Sequence, residues 1–546
     1  MKRFPRCRAV ASTALALVFG PLTAVAQDYP AVSARPGQRT ARPLPAAAEG
    51  GVRLSLSEAI GLALANNQDL NVSVNEAEAS RFLLFAELGI FDPLASAAVT
   101  RSHQKIPSAS QLAGADVEER DTLDLSANVA QLVPTGGTFS LGFRTSRFET
   151  NSTFFSVNPS YSSGLTFSAN QPLLRDFGWD ATTWLIYTAR NTRDIRYQEF
   201  IRDVQTVVHA VEQAYWDLVY ALRNLEVQRE SRALAADLNR ITRIRIDVGS
   251  LAPIDIVQTE VGIATAEQEI IIAEDLIGDA QDRLKRLLNF DPAQWEVPIV
   301  PIDEVRGEQT TVRAEEGTAI ALRQRPDLRA AAFSSDSLRI RYDFYKNQAL
   351  PNLDLVASYG LSGLAGVERD ETGQVVVREG FGQSFENVLD ADADNWSVGL
   401  NFSIPIFNRG ARGRRGEAQY TWEASKASLN AMEQNVLVEV RDAARAIETA
   451  GRSIAAAQKA RELAERNLDA ERKRFENGMT TSFQVTEIQR DLSLARTNEL
   501  QALAIYRKAV SAYHYAIADI LEWKGIRIDA MPEPGVPEVR MWQNQP

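Results

Sequence analysis

Side chains able to carry chemistry are scarce in this sequence. It holds three histidines, His103, His209 and His514, and a single cysteine, Cys7. Nucleophilic catalysis needs a serine or thiol beside a base that a third group orients, and no Ser/His/Asp spacing of that kind is present. Zinc centres draw on clustered cysteine and histidine, and a phosphate site on a glycine-rich loop opening a helix; neither pattern occurs. His209 and His514 fall inside helical heptads and His103 in a loop or strand end, so each reads as a surface or core residue. The expectation is a protein that is not an enzyme and that carries no cofactor and no metal.

The residues with a distinct task are two glycines. Gly249 in DVGSLAPIDIVQ and Gly478 in ENGMTTSFQVTE each close a long helical pattern. Glycine takes the left-handed conformation that ends a helix and lets the chain reverse. The helices behind them carry heptads: Val204, Val208, Val211, Tyr215, Leu218, Leu222 and Leu225 step by alternating fours and threes, as do Val436 through Ala457. After the first turn Ile256, Ile263, Ile270 and Ile277 recur by sevens, with Ala266, Ala273 and Ala280 three positions on. After the second, Val485, Ile488 and Leu492 open a seam that runs to Tyr513. Alanine at so many seam positions permits close helix approach. No proline interrupts the pattern from near Phe177 to Val248, and Arg409 to Asn477 is similar. Each helix would therefore extend about 100 Å, longer than a compact bundle uses.

Strands have a different period. Leu353, Leu355, Ala357, Tyr359 and Leu361 alternate with small or polar residues, and Trp396, Val398, Leu400, Phe402 and Ile404 alternate with Ser397, Gly399, Asn401 and Ser403. Leu165, Phe167 and Ala169 repeat the pattern before Pro172. Such segments suit either a half-buried sheet or an outer-membrane barrel. Four strands cannot close a lipid-facing wall, since an open edge in hydrocarbon is too costly. Closure predicts an oligomer, with three chains giving about twelve strands. A surplus of about 25 residues between Pro93 and Pro172 contains LDLSANVAQLVPTGGTFSLGFRTSR, two strands joined at Gly136-Gly137. Whether it forms an external hairpin or adds to the wall is open.

The chain also repeats itself. Ala63/Ala321, Leu64/Leu322, Asp69/Asp327, Leu70/Leu328 and Pro93/Pro351 share one offset of 258. The plan reads as a signal segment over 1–26 and a flexible leader over 27–51. A first repeat follows over 52–290, with strands at about 93–172 and a hairpin tip at about 247–255. A linker covers 291–312, and a second repeat covers 313–522, with strands at about 351–405 and a tip at about 476–484. A tail over 523–546 ends the chain.

Hydrophobic content of 45% and charged content of 24% exclude wholesale disorder. The 59 Lys+Arg against 71 Asp+Glu argue against nucleic-acid binding. Lys2, Arg3, Arg6 and Arg8 precede an apolar run from Ala9 to Phe19 and the Ala24-Val25-Ala26 cleavage pattern, so export is expected, with Gln27 first in the mature chain. Removal takes Cys7 and four basic residues away, leaving 55 basic against 71 acidic, a net charge of −16.

FDP at Phe91–Pro93, QPLLRDFG at Gln171–Gly178, ALPNLDLVASYG at Ala349–Gly360, GLNFSIPIFNRG at Gly399–Gly410 and the two glycine turns stand in order across the duplicated frame. In these the chain resembles the TolC-like outer-membrane efflux family. The resemblance implies a mainly α fold with a transmembrane β-barrel, in which strand pairs and long coiled-coil helices are duplicated. It implies a homotrimer whose 12-stranded barrel sits in outer-membrane lipid of a Gram-negative bacterium and continues as a periplasmic α-barrel. Such ducts serve tripartite efflux pumps or type I secretion machines. Energy comes from an inner-membrane transporter, reached through a periplasmic adaptor (membrane fusion protein). By position, the adaptor-contact tips are Val248, Gly249, Ser250, Leu251 and Ala252 in the first half, and Asn477, Gly478, Met479 and Thr480 in the second. The inward-facing pore gate falls on Gln484 and Glu487; family members often hold aspartate at both, so Gln484 is a departure that implies a weaker acidic ring. The alternative is a periplasmic coiled-coil scaffold or adaptor without a pore, although no adaptor-type β-domain or inner-membrane anchor is evident.

Overall fold

The structure is a computed structural model that describes residues 51–107, 115–304, 312–370, 374–526 and 528. The expected signal segment, nearly all of the leader and most of the tail lie outside the described residues.

The described chain opens with β1 (Val52–Leu54), which pairs in parallel with β6 (Ile299–Pro301), Val52 opposite Ile299. The start of α1 (Leu56–Asn66) is set by a capping box: Ser55 Oγ accepts from Glu58 N, and the Glu58 carboxylate accepts from Ser55 N at 2.9 Å. Asn67 ends α1 and caps α2 (Gln68–Leu88) through its side chain. Four long strands follow, β2 (Leu94–Pro107), β3 (Val117–Leu132), β4 (Thr138–Thr150) and β5 (Val157–Pro172). The chain then enters α3 (Trp179–Asp247) and returns along α4 (Asp255–Leu288). The second half runs α5 (Ala314–Gln324), α6 (Pro326–Gln348), β7 (Asn352–Arg369), β8 (Val375–Arg378), α7 (Phe381–Leu389), β9 (Asp394–Ser403), α8 (Arg409–Glu476) and α9 (Ser482–Ala516), and it ends in the single turn α10 (Ile520–Trp523).

The helices follow their heptads. α3 has 69 residues and α8 has 68, each about 100 Å of uninterrupted helix. Val204, Val208, Val211, Tyr215 and Leu218 are buried, as are Val436, Val440, Ile447, Ala450 and Ile454. The alanine seam of α4 is likewise buried at Ala266, Ala273 and Ala280, while the isoleucines beside it are half-buried. α3 packs on α4, α9, α6 and α2, and α8 packs on α9 and α6. Between α3 and α4 the exposed pairs Arg243–Glu260, Arg232–Glu267 and Arg229–Glu274 span 2.9–3.4 Å. Each contributes about 1 kcal/mol or less, so the apolar seam carries the packing.

The sheet departs from the expectation of four strands. Six long strands lie in one antiparallel order, β2-β3-β4-β5-β7-β9, with β8 on the same edge of β7 as β9. The surplus segment supplies β3 and β4, which pair with β2 and β5, strands that would otherwise be neighbours. The physical reason lies in the ladder. β3 and β4 are as long as their neighbours and satisfy both of their edges, which a projecting hairpin would leave open. No described helix is long and apolar enough to cross a membrane.

A polar knot ties the first repeat to the stretch after α4. Tyr215, fully buried on α3, donates from its hydroxyl to the Asp303 carboxylate at 2.7 Å and lies 3.1 Å from the Leu54 carbonyl; the same carboxylate oxygen accepts from Leu56 N at 2.7 Å. Burial, then the Asp303 contact, push the Tyr215 hydroxyl far above its ordinary range. It therefore stays protonated. Tyr215→Phe should cost about 1–3 kcal/mol, because it leaves these acceptors short of a donor. The measurement is the thermal midpoint of the detergent-solubilised protein, which should fall by a few degrees; an unchanged midpoint would show the hydroxyl to be dispensable.

Candidate functional site

The two glycine turns share one geometry. At the first, α3 ends at Val248, and Gly249 has φ 78°. Gly249 N donates to the Ile246 carbonyl at 2.9 Å and Ser250 N to the Arg245 carbonyl at 2.8 Å. At the second, α8 ends at Asn477, and Gly478 has φ 70°. Gly478 N donates to the Phe475 carbonyl at 2.9 Å and Met479 N to the Arg474 carbonyl at 2.9 Å. Both are Schellman motifs, in which the left-handed residue lets two amides reach back to otherwise unpaired carbonyls. Any side chain at either glycine would be strained by the positive φ.

One shared core holds the tips together. Leu238 from α3, Leu468 and Phe475 from α8, and Val485, Ile488 and Leu492 from α9 form a buried cluster with Leu251 packed against it. Leu251 thus serves as an anchor on the inner side of its turn. Ser250 turns its hydroxyl onto the Arg245 carbonyl, and Thr480 donates to the buried Glu471 at 2.6 Å. Ala252 and Asn477 are exposed.

Across the tips, Arg245 makes the connection that sequence reading missed. Its guanidinium donates to the Phe475 and Glu476 carbonyls at 2.5 Å each and lies 4.6 Å from the Phe475 ring centroid. A cation thereby meets the negative end of the α8 dipole, adding a second donor to the Phe475 carbonyl and satisfying that of Glu476. The sequence places Arg245 in the last turn of α3, a position that suggests its own helix end and not a neighbour's. Outward, the tips present apolar side chains. Val248 is 72% exposed and Met479 74%. They are joined by Ile254 at 69% and Phe483 at 52%, which the motif reading did not include.

Gln484 and Glu487 lie one turn apart near the start of α9, which Thr481 caps by accepting from Gln484 N. Gln484 is exposed and Glu487 half-buried. Glu487 is not a free carboxylate, since Arg490 sits 2.6 Å from it on the same helix. Asp491 continues the exposed side of that stretch. Of the histidines, His103 lies in β2 against Asp121 at 3.0 Å, His209 lies 2.9 Å from Ser511, and His514 lies 2.8 Å from Asp519. Each has a structural partner. Among the described residues no group of three or more His, Cys, Asp or Glu side chains could hold a metal ion.

Comparison with known proteins agrees with this geometry. The outer membrane protein TolC of Vibrio cholerae serotype O1 is 21% identical over 370 residues, covering 68% of this chain and 79% of that one. The fusaric acid resistance protein FusA of Burkholderia cepacia is 26% identical over 196 residues, 35% of this chain and 32% of that protein. Among solved structures, the Campylobacter jejuni CmeC outer membrane channel superposes with a TM-score of 0.61 at 15% identity, covering 85% of this chain and 86% of that one. VceC of Vibrio cholerae gives 0.61 at 15%, covering 85% and 96%. These likenesses concern the fold. Residues 125–289 and 319–512 match the family described as outer membrane efflux protein, and that match spans both repeats. The chain belongs to the outer membrane efflux protein family.

Proposed function

We propose that this outer-membrane efflux protein is the exit duct of a tripartite efflux pump or type I secretion assembly. It works as a homotrimer that conducts substrate passively from periplasm to exterior and is gated at its hairpin tips. A periplasmic adaptor docks on the tips and couples the duct to an inner-membrane transporter, which supplies the energy. The observation that carries this reading is the tip region: two matching Schellman turns, locked to one another through Arg245, displaying Val248, Ile254, Met479 and Phe483 to solvent. Exposed apolar residues on a rigid frame are what a partner's helical hairpin would cover. A pore-less periplasmic scaffold would have no need of a broad sheet with one apolar face.

Gating follows from the same contacts. The Arg245 clamp spans the two hairpins, so parting them breaks two charge-assisted hydrogen bonds and a cation–π contact, worth about 1–3 kcal/mol together after solvent screening. Around a threefold axis, copies of Glu487 would gather near one another and favour cations. Arg490 offsets part of that field, a second departure from a strong acidic ring beside Gln484.

Two outcomes are expected in planar-bilayer recordings of the reconstituted protein. Arg245→Ala should raise single-channel conductance several-fold and expose the 476–481 turn to protease without changing the subunit count; conductance equal to wild type would remove the clamp from the gate. Glu487→Gln should lower cation preference and Arg490→Ala should raise it. If neither moves the reversal potential, Glu487 does not face the pore.

A further inference from the structure

Six long strands, not four, line up among the described residues, and the two added ones obey the same rule as the rest. We propose that β3 and β4 are wall strands of the membrane barrel. Three copies, each giving six strands, then close an eighteen-stranded barrel by pairing β9 of one copy with β2 of the next. The proposal rests on the trimeric-duct reading above, and its partner is a second copy of this chain.

The first argument is the alternation of faces. The register sets Leu125 opposite Thr145, Ala127 opposite Phe143 and Val129 opposite Leu141 on one face. It continues that face through Leu165 and Phe167 on β5, Leu361 and Tyr359 on β7, and Trp396 on β9. The opposite face of the same hairpin carries Asp124, Ser126 and Asn128 on β3 and Ser140, Gly142 and Arg144 on β4, with Arg144 and Asp124 paired at 2.8 Å. A projecting hairpin in water has no reason to keep one side apolar in step with the wall. A strand between lipid and lumen must.

The second argument is where the apolar face stops. Beyond Val99 and Leu123, the same face of β2, β3 and β4 turns to His103–Asp121, Lys105–Glu119 and Arg147–Glu149 pairs at 2.5–3.0 Å. From that level down to Phe143, α7 lies across the apolar face. Ser384 bonds Ser163 at 2.7 Å, Phe385 meets Phe143 edge-on at 5.6 Å, and Phe381 meets Tyr161 at 4.6 Å. Gly363 makes room for the helix backbone, since a Cβ there would come within 2.2 Å of the Ser384 carbonyl oxygen. An apolar band ending in ion pairs and an amphipathic helix is the profile of a wall leaving lipid at its outer rim. β3 and β4 leave at the same level as β2.

The third argument is the stagger. A row of paired residues begins at Leu94, the first residue of β2. It passes through Ala130, Ser140, Ser168 and Ser358 and reaches Ser397, six residues short of Ser403, where β9 ends. About one residue of slip per strand, at ~3.3 Å per residue and ~4.8 Å between strands, tilts the strands by roughly 35–40°. That is the tilt of closed outer-membrane barrels. The two outermost strands are left open: every residue of β9 and all but one of β2 is exposed. Eighteen is an even count inside the range such barrels use, and diameter grows linearly with strand number. The lumen is then about half again as wide as that of a twelve-stranded wall, and it is lined by serine, asparagine, glycine and the Asp124–Arg144 pairs.

The mature chain has no cysteine once the signal segment carrying Cys7 is removed, so single thiols report cleanly. Ser126→Cys, Asn128→Cys and Ser140→Cys should react with a small water-soluble maleimide in proteoliposomes. Leu125→Cys, Ala127→Cys and Leu141→Cys should be protected there and react only after detergent extraction, with at least a tenfold difference in rate. Equal reactivity of the two sets would place the hairpin outside the wall and overturn the proposal. Ser96→Cys combined in turn with Ser397→Cys, Gly399→Cys and Asn401→Cys should yield covalent trimers in at least one pairing; monomers throughout would overturn edge closure. Native mass spectrometry of every variant tests the underlying reading separately. A trimer with uniformly reactive thiols defeats only the strand count, whereas a monomer defeats the duct itself.

Discussion

The unpaired backbone of β2 and β9 is the constraint on which everything else hangs. An amide or carbonyl left without a partner in hydrocarbon costs several kcal/mol, and each edge strand presents a row of them along ten or more residues. No segment of the described chain covers either edge. On the proposed trimeric reading, an outer-membrane protein with two such edges is incomplete as a single chain. The proposed closure satisfies both edges with one type of contact, repeated by symmetry, and leaves no edge over.

Away from the sheet the problem is different, because water can satisfy what the helices leave open. There the structure relies on close approach. Small alanines on α4 let α3 come near, and the heptad period keeps the same stripe facing inward along about 100 Å of helix. Tyr215 and Asp303 tie β1, α1 and the chain after β6 to α3. At the far end of the helices the cluster of Leu238, Leu468, Phe475, Val485, Ile488 and Leu492 spans both hairpins. Beside that cluster Arg245 of the first hairpin binds the terminal carbonyls of α8 in the second.

Much of this could be read from residue order. Long helices announce themselves through sustained heptads without proline, and both glycine turns have the positive φ that their position implied. Individual side chains at the tips were less legible. Leu251 turns inward to the core while Ile254 and Phe483 face solvent, because within a tight turn direction depends on local dihedrals and not on period. Glu487 was visible as a carboxylate, but its pairing with Arg490 depends on a rotamer that one-letter spacing only permits.

By itself, the sequence determined the periods: where the chain is helical with a buried seam, where it alternates as a strand, and where glycine must reverse it. These are local consequences of side-chain size and backbone freedom. The tertiary structure alone decided which strands are neighbours. The segment from Leu123 to Arg147 reads equally well as a projection or as wall, since alternation specifies two faces but not what lies against either edge. Only the ladders joining β2 to β3 and β4 to β5 put it in one sheet with the other strands, because strand pairing is made by backbone groups that are the same at almost every residue.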